Sequence, residues 1–351
     1  MKYPAVLSFE EIFPTLSEFD TIIDARSESE FALDRIPGAI NCPVLNDEER
    51  ILVGTTYKQV GAFEAKKIGA PVVARNIAHH IESLFADKPR DWKPLVYCWR
   101  GGNRSGSLVH ILAKIGWPVV QLDGGYKAFR NYVNAALEDP PALPFRVICG
   151  TTGSGKSRLL ETLEASGAQV LDLERLAAHR GSVLGHLPGE PQPSQKMFET
   201  RIWDKLRGFD PAKPVFVESE SKKVGNLRVP EAVMQRMRAS PCISLQLARE
   251  QRVQLLMEDY QHFALDAAAL NAQLAHLVQL HGRAKIDAWH EMASGGRMPE
   301  LVEQLLVEHY DPAYLRSIDR NFAQYPQAEV LELPGISKDE FLAAARHLHP
   351  G

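Results

Sequence analysis

Short apolar runs alternate along this chain with longer segments of helical periodicity. Thr21-Ile22-Ile23-Asp24, Leu95-Val96-Tyr97 and Pro118-Val119-Val120-Gln121-Leu122 are too short for stable helices and sit between turn residues, so they read as buried strands. Arg35-Ile36-Pro37-Gly38-Ala39-Ile40-Asn41 is a turn running into another short strand. The intervening segments read as helices. Ser27 to Leu33 starts with Ser27 as N-cap and Glu30 as its capping-box partner. Asp47 to Tyr57 and Pro71 to Ala86 follow, the second with Pro71 in the first turn and an apolar stripe of Val72, Ala78, Ile81 and Phe85. Ser105 to Ile115 gathers Leu108, Ile111, Leu112 and Ile115 on one face, and Asp123-Gly124-Gly125-Tyr126 opens a helix carrying Phe129 and Val133. Strands alternating with helices imply a parallel sheet covered on both faces.

The pattern breaks at Glu138-Asp139-Pro140-Pro141-Ala142-Leu143-Pro144, a Pro-rich stretch that cannot continue a helix. It predicts one domain over residues 1–138, a linker over 139–144 and a second domain over 145–351. The second domain also reads as α/β. Phe145 to Cys149, Val170 to Glu174, Val215 to Glu220, Ile243 to Leu247 and Glu329 to Leu333 are its strands, and Leu159, Leu160 and Leu163 mark an amphipathic helix after the first. Residues from about 248 to 325 are almost wholly helical in pattern, an insertion after which the sheet resumes.

At 351 residues the chain is long enough for two cores. Net charge is -4, so no global positive field points to nucleic acid, and an RNA partner would need a local basic face. No apolar run is long enough to span a bilayer, and Met1-Lys2-Tyr3-Pro4 lacks a signal-peptide core, which predicts a cytoplasmic protein without membrane contact. Four cysteines with no CxxC pair make neither a disulfide framework nor a zinc site, and no metal ligand set is assigned. Cys42, Cys149 and Cys242 have apolar neighbours and read as core residues.

Cys98 differs. It ends a strand, and Trp99, Arg100, Gly101, Gly102, Asn103, Arg104 and Ser105 lead directly into a helix. Loop N–H groups and the positive helix end suit a thiolate or an anion above it, and Arg100 and Arg104 add positive charge. The second domain opens with Gly150-Thr151-Thr152-Gly153-Ser154-Gly155-Lys156-Ser157 between a strand and a helix, which fits G-x-x-x-x-G-K-[ST] in its required context. Its glycines let the main chain wrap a phosphate, Lys156 supplies a point charge, and Ser157 can meet a metal or phosphate oxygen. Asp172 and Glu218, in strands that follow, could orient Mg2+ or a water, or simply cap their strands. Arg249 and Arg252 could close over a phosphate as a lid, or lie on a helix surface.

Asp24-Ala25-Arg26, Arg35-Ile36-Pro37-Gly38-Ala39-Ile40, the Cys98 loop and Leu122-Asp123-Gly124-Gly125 resemble the rhodanese family in order and spacing over about the first 137 residues. That resemblance implies a rhodanese-like parallel-sheet domain with Cys98 as its reactive residue. Five residues separate Cys98 from Arg104, one more than in typical thiosulfate sulfurtransferases. The longer loop resembles that of rhodanese-fold phosphatases and suits a phosphate-sized anion. Joined to a P-loop NTPase-like α/β domain, the whole chain resembles the tRNA 2-selenouridine synthase family. Gly54-Thr55-Thr56-Tyr57-Lys58-Gln59-Val60-Gly61, His179-Arg180-Gly181-Ser182, Gln192-Pro193-Ser194-Gln195-Lys196-Met197-Phe198 and Glu218-Ser219-Glu220-Ser221-Lys222-Lys223-Val224-Gly225 are similar to that family's signatures.

The resemblance implies a two-stage exchange on a tRNA carrying 2-thiouridine at the wobble position. Geranyl diphosphate first alkylates the sulfur, and selenium from selenophosphate then displaces the geranylthio group. No tightly bound cofactor is expected, Mg2+ is compatible with the second site, and selenophosphate synthetase is a candidate partner. Selenophosphate is expected at the Cys98 loop, its oxygens held by Arg100, Arg104 and main-chain N–H groups, with Cys98 as nucleophile or selenium carrier, and the diphosphate at Lys156 and Ser157. Lys222, Lys223, Arg228, His281, Arg283, Lys285 and Arg297 are candidates for RNA contact. Two rivals use the same residues: a sulfurtransferase coupled to a nucleotide-hydrolysing P-loop, and a phosphatase-like or regulatory anion sensor.

Overall fold

The computed structural model describes residues 4–182, 184–186, 189–260 and 266–350. The chain divides into two units, Met1–Glu138 with Glu199–Trp203, and Asp139–Phe198 with Asp204–Gly351.

Five parallel strands form the sheet of the first unit: β1 (Ala5–Leu7), β2 (Thr21–Asp24), β3 (Ala39–Asn41), β4 (Pro94–Tyr97) and β5 (Val120–Leu122), ordered β1-β5-β4-β2-β3. Every residue of the central β4 is buried, as its continuous apolar run requires in a sheet covered on both faces. One face packs Ile23, Val96 and Cys98 with Ile77, Phe85, Trp92, Leu108 and Leu112. A separate aromatic group joins Phe9 to Phe129, Tyr132 and Trp203. The three-residue edge strand β1 is too short to stand out in the hydropathy pattern.

Pro71 does not stand in the first turn of its helix. The helix runs from Ala62 to His80 with Pro71 inside it, and Ile81–Phe85 continues as a π turn. Proline deprives the carbonyl four residues earlier, that of Lys67, of its N–H partner. Both residues are exposed, so water can reach that carbonyl and the helix survives.

The second unit is a five-stranded parallel sheet of β6 (Phe145–Cys149), β7 (Gln169–Leu171), β8 (Val215–Glu218), β11 (Cys242–Leu247) and β12 (Glu329–Leu333), ordered β12-β11-β6-β8-β7. A small antiparallel hairpin, β9 (Lys223–Val224) with β10 (Leu227–Arg228), lies between β8 and β11 in sequence. The strand expected through Glu174 stops at Leu171. Asp172 instead caps the short helix Leu173–Ala177, its Oδ1 accepting the Arg175 N–H at 2.8 Å. Between β11 and β12 the chain is helical, with its own core of Leu270, Leu274, Ile286, Trp289, Leu301 and Leu305. Residues 261–265 of that stretch lie outside the described residues. Among the described residues, no helix is long and apolar enough to cross a membrane.

Candidate functional site

In the first unit β4 delivers Cys98 to the carboxyl end of the sheet, and residues 99–102 turn the chain into the helix Asn103–Ile115. Cys98 is only 3% exposed. The Ser105 hydroxyl donates to its Sγ at 3.1 Å. Gln121 Nε2 in turn donates to Ser105 Oγ at 3.1 Å and to the Gly101 carbonyl at 2.7 Å. Among the described residues, the main-chain N–H groups of Trp99, Arg100, Gly101 and Gly102 donate to no protein acceptor, which leaves them for an anion.

Gly125 holds the loop closed from below. Its φ is +56°, and a Cβ there would lie 2.2 Å from the Cys98 carbonyl oxygen and 2.6 Å from the Gly101 nitrogen. The N–H groups of Tyr126 and Lys127 donate to the Cys98 and Trp99 carbonyls at 2.7 and 3.0 Å. Asp24 and Arg26 brace this helix rather than meeting the thiol. Buried Arg26 bonds Asp24 Oδ2 and the Asp34 carbonyl, both at 2.6 Å, and its guanidinium lies 4.1 Å from the Tyr126 ring centroid. The Tyr126 hydroxyl donates to Asp34 Oδ2 at 2.8 Å.

The two loop arginines part company. Arg104 spends Nη1 and Nη2 on Glu30, at 2.5 and 3.3 Å, so its charge is compensated rather than offered to an incoming oxyanion. Burial works to raise the Glu30 carboxyl, but the hydrogen bonds and charge of Arg104 outweigh it and hold the group below the usual range. Arg100 is exposed and engages no protein group among the described residues. Trp99 packs 5.3 Å from the Tyr126 ring, and Gly102 and Asn103 are exposed.

In the second unit β6 ends at Cys149 and the P-loop follows, leading into the helix Lys156–Ala165. Lys156 Nζ folds back on its own loop, donating to the Gly150 carbonyl at 2.7 Å, and lies 5.4 Å from the Tyr314 ring centroid. The Gly150 N–H donates to the Tyr314 hydroxyl at 2.7 Å, which also meets Ser219 Oγ at 2.7 Å. Among the described residues, the N–H groups of Thr151, Thr152 and Gly153 donate to no protein acceptor. Buried Ser154 has a hydroxyl with no protein partner.

The acid assignments shift. Ser157 Oγ donates to Glu174 Oε2 at 3.2 Å, so Glu174 stands against the P-loop while Asp172 is a helix cap. Glu218 is 2% exposed; its Oε1 accepts the Glu174 N–H at 2.8 Å, and its Oε2 is buried without a partner. Burial, then the charges of Asp172, Glu174 and Glu220, push Glu218 well above the usual carboxylate range. Burial and the neighbouring Glu174 do the same to Glu220, and burial raises Glu174 and Asp172. Lys156 opposes the rise in Glu174 and Glu220. Among the described residues, no group of three or more His, Cys, Asp or Glu is disposed to hold a metal alone.

Neither proposed lid arginine is a free lid. Buried Arg252 donates from Nε and Nη2 to the Thr152 carbonyl at 2.9 and 2.8 Å and pairs with Asp311 at 2.5 Å, bracing the P-loop. Arg249 is exposed, with Glu303 at 3.8 Å. Several candidate RNA-binding residues are also engaged locally: Lys222 with Glu231, Lys285 with Glu308, Arg297 with Glu300 and His281 with His309. By contrast the signature segment 54–61 is on the surface, with Tyr57 59% and Val60 70% exposed.

Fold and sites together define a two-domain α/β protein in which a rhodanese-like domain carries a loop cysteine and a P-loop domain follows. A rhodanese-like domain model matches residues 14–132, and a model described as the tRNA 2-selenouridine synthase AAA domain matches residues 143–276. The tRNA 2-selenouridine synthase of Sulfurovum sp. (strain NBC37-1) is 31% identical over 348 residues, covering 89% of this chain and 94% of that protein. That of Bdellovibrio bacteriovorus is 33% identical over 352 residues, covering 85% and 89%. That of Nitrosomonas europaea is 38% identical over 247 residues, covering 68% and 63%. The chain belongs to the tRNA 2-selenouridine synthase family.

Proposed function

We propose that the protein replaces the sulfur of wobble 2-thiouridine in tRNA by selenium in two steps, one at each anion cradle. The observation that carries this reading is the pair of open main-chain cradles, one beside the buried Cys98 thiol and the other beside Lys156. At the P-loop, the thiocarbonyl sulfur attacks C1 of geranyl diphosphate. The C–O bond breaks, diphosphate leaves, and the nucleobase N3 proton is released. Lys156 and the loop N–H groups stabilise the leaving diphosphate. Ser157 and Glu174 are the side chains that would hold Mg2+ arriving with it, and Glu218, whose buried Oε2 has no protein partner, accepts the Glu174 N–H beside them. When bound, the ion supplies positive charge to the leaving group.

Selenophosphate meets the Cys98 loop. Attack of the thiolate at phosphorus requires no reductant: an S–P bond forms, the P–Se bond breaks, and selenium leaves as hydroselenide. Water then cleaves S–P, returning the thiol and phosphate. Hydroselenide adds at C2 of the alkylated base, and with one proton geranylthiol departs and N3 regains its hydrogen. Alkylation matters because sulfur then leaves as a thiol rather than as sulfide. Loop N–H groups and Arg100 hold the phosphoryl oxygens, while Arg104 stays with Glu30 and keeps the capped turn in place.

The test is nucleoside mass spectrometry on 2-thiouridine tRNA incubated with the protein, geranyl diphosphate and selenophosphate, each donor omitted in turn. Cys98→Ala should abolish selenation and spare geranylation. Lys156→Ala should raise the geranyl diphosphate requirement far more than that for selenophosphate. Equal loss of both steps in Cys98→Ala would refute the division of labour.

A further inference from the structure

A cavity lies in the second unit between the P-loop and the helical insertion. It encloses about 560 Å³ of space between atoms, part of it continuous with solvent. Its walls are mainly aliphatic, with Leu256, Met257, Met298, Val302 and Leu305 among them, and no described lining residue carries a charge. One wall belongs to the phosphate cradle itself, because Thr152 lines the cavity. Gly153 is in contact too: a Cβ there would come within 2.9 Å of the Leu256 side chain. The helix bearing Leu256 and Met257 is tied to the loop by Arg252, whose Nε and Nη2 both donate to the Thr152 carbonyl.

A phosphate site opening directly into a charge-free aliphatic chamber is complementary to an amphiphile with an anionic head and a hydrocarbon body. The base and ribose of a nucleotide would instead bring many donors and acceptors to walls whose described side chains offer only the hydroxyls of Thr152, Ser182, Tyr260 and Tyr310. We infer that this cavity receives the hydrocarbon chain of the prenyl diphosphate whose head group sits on the P-loop, and that it sets the accepted chain length. The inference rests on the P-loop reading above.

Burying one methylene is worth about fourfold in affinity, so removing a five-carbon unit that is only partly enclosed weakens binding on the order of a hundredfold. The experiment is calorimetric titration of the full-length protein with geranyl diphosphate, dimethylallyl diphosphate and inorganic pyrophosphate. Affinity should fall in that order. Met257→Asp, which puts a carboxylate into the chamber, should remove at least about tenfold of the geranyl diphosphate affinity and leave pyrophosphate binding unchanged. Val302→Trp fills the chamber from a half-buried position, should act in the same way, and serves if the first variant does not fold. Geranyl diphosphate binding the wild type no more tightly than pyrophosphate overturns the chain assignment while leaving the P-loop reading intact, as does equal loss of both ligands in the folded variants. Pyrophosphate affinity unmoved by Lys156→Ala overturns the P-loop reading, and the assignment with it.

Discussion

Replacing Glu218 by Gln should make the protein more stable at pH 8 than the wild type, with a gain that vanishes in acid. The folded environment raises this carboxyl well above its ordinary value of 4.5, first through burial and then through Asp172, Glu174 and Glu220. For an acid shifted upward, the stabilising contribution is fully present below the unfolded pKa and is lost as pH climbs through the folded one. Between those limits the folded state holds a proton the unfolded state has released, so each pH unit costs about 1.4 kcal/mol. One such unit is already a sizeable part of a typical folding free energy of about 5–15 kcal/mol. Glutamine keeps an Oε1 to accept the Glu174 N–H, bonded at 2.8 Å in the wild type, and does not titrate. The measurement is urea denaturation followed by far-ultraviolet circular dichroism at half-unit steps from pH 4.5 to 8. A difference between variant and wild type that stays flat, or widens toward acid, would show that Glu218 does not carry the titration.

Three further outcomes test the braces of the two cradles. Gly125→Ala forces a Cβ to 2.2 Å from the Cys98 carbonyl oxygen at a positive φ, and should cost more than about 4 kcal/mol. Thermal unfolding within two or three degrees of the wild type would contradict that packing. Tyr314→Phe strips the hydroxyl that meets both the Gly150 N–H and Ser219 Oγ, and should lose about 1–3 kcal/mol in urea denaturation together with weaker pyrophosphate binding. Unaltered values for both would mean the hydroxyl does not order the loop. For Arg252 and Asp311, a double-mutant cycle of Arg252→Gln and Asp311→Asn should give a coupling of about 1–3 kcal/mol; a coupling under about 0.5 kcal/mol would make the pair incidental.

The parts of this molecule legible in sequence are those whose chemistry is local. A strand ending in Cys98 before a Gly-rich turn, and G-x-x-x-x-G-K-[ST] after an apolar run, each encode a cradle in consecutive residues, and the α/β alternation encodes parallel sheets. Ser27 and Glu30 likewise signal a capping box within four residues, and it forms. What sequence spacing hides is how charges are paired across the fold. Glu30 lies 74 residues from Arg104 and Asp311 lies 59 from Arg252, so nothing local reveals that both arginines are already engaged. Glu174 and Tyr314 escape notice for the same reason: a helix N-terminus brings one to Ser157, and the insertion brings the other to Gly150. Asp172 is misread because an acid just past a strand can serve equally as a ligand or as the cap of the next helix, and only the Arg175 N–H decides.

This hidden pairing also bears on what the second cradle can accept. Lys156 faces Glu174 and Glu220, whose burial raises them and whose charge it offsets. A diphosphate entering with further negative charge must therefore be accompanied by protons taken up on those carboxyls or by a cation lying between them and the phosphates. The two routes differ in sign of pH dependence: proton uptake makes pyrophosphate binding weaken as pH rises, whereas cation binding needs ionised carboxylates and strengthens. Titrations with and without Mg2+ at pH 6 and pH 8 separate them, because proton uptake alone predicts the same pH slope in both buffers.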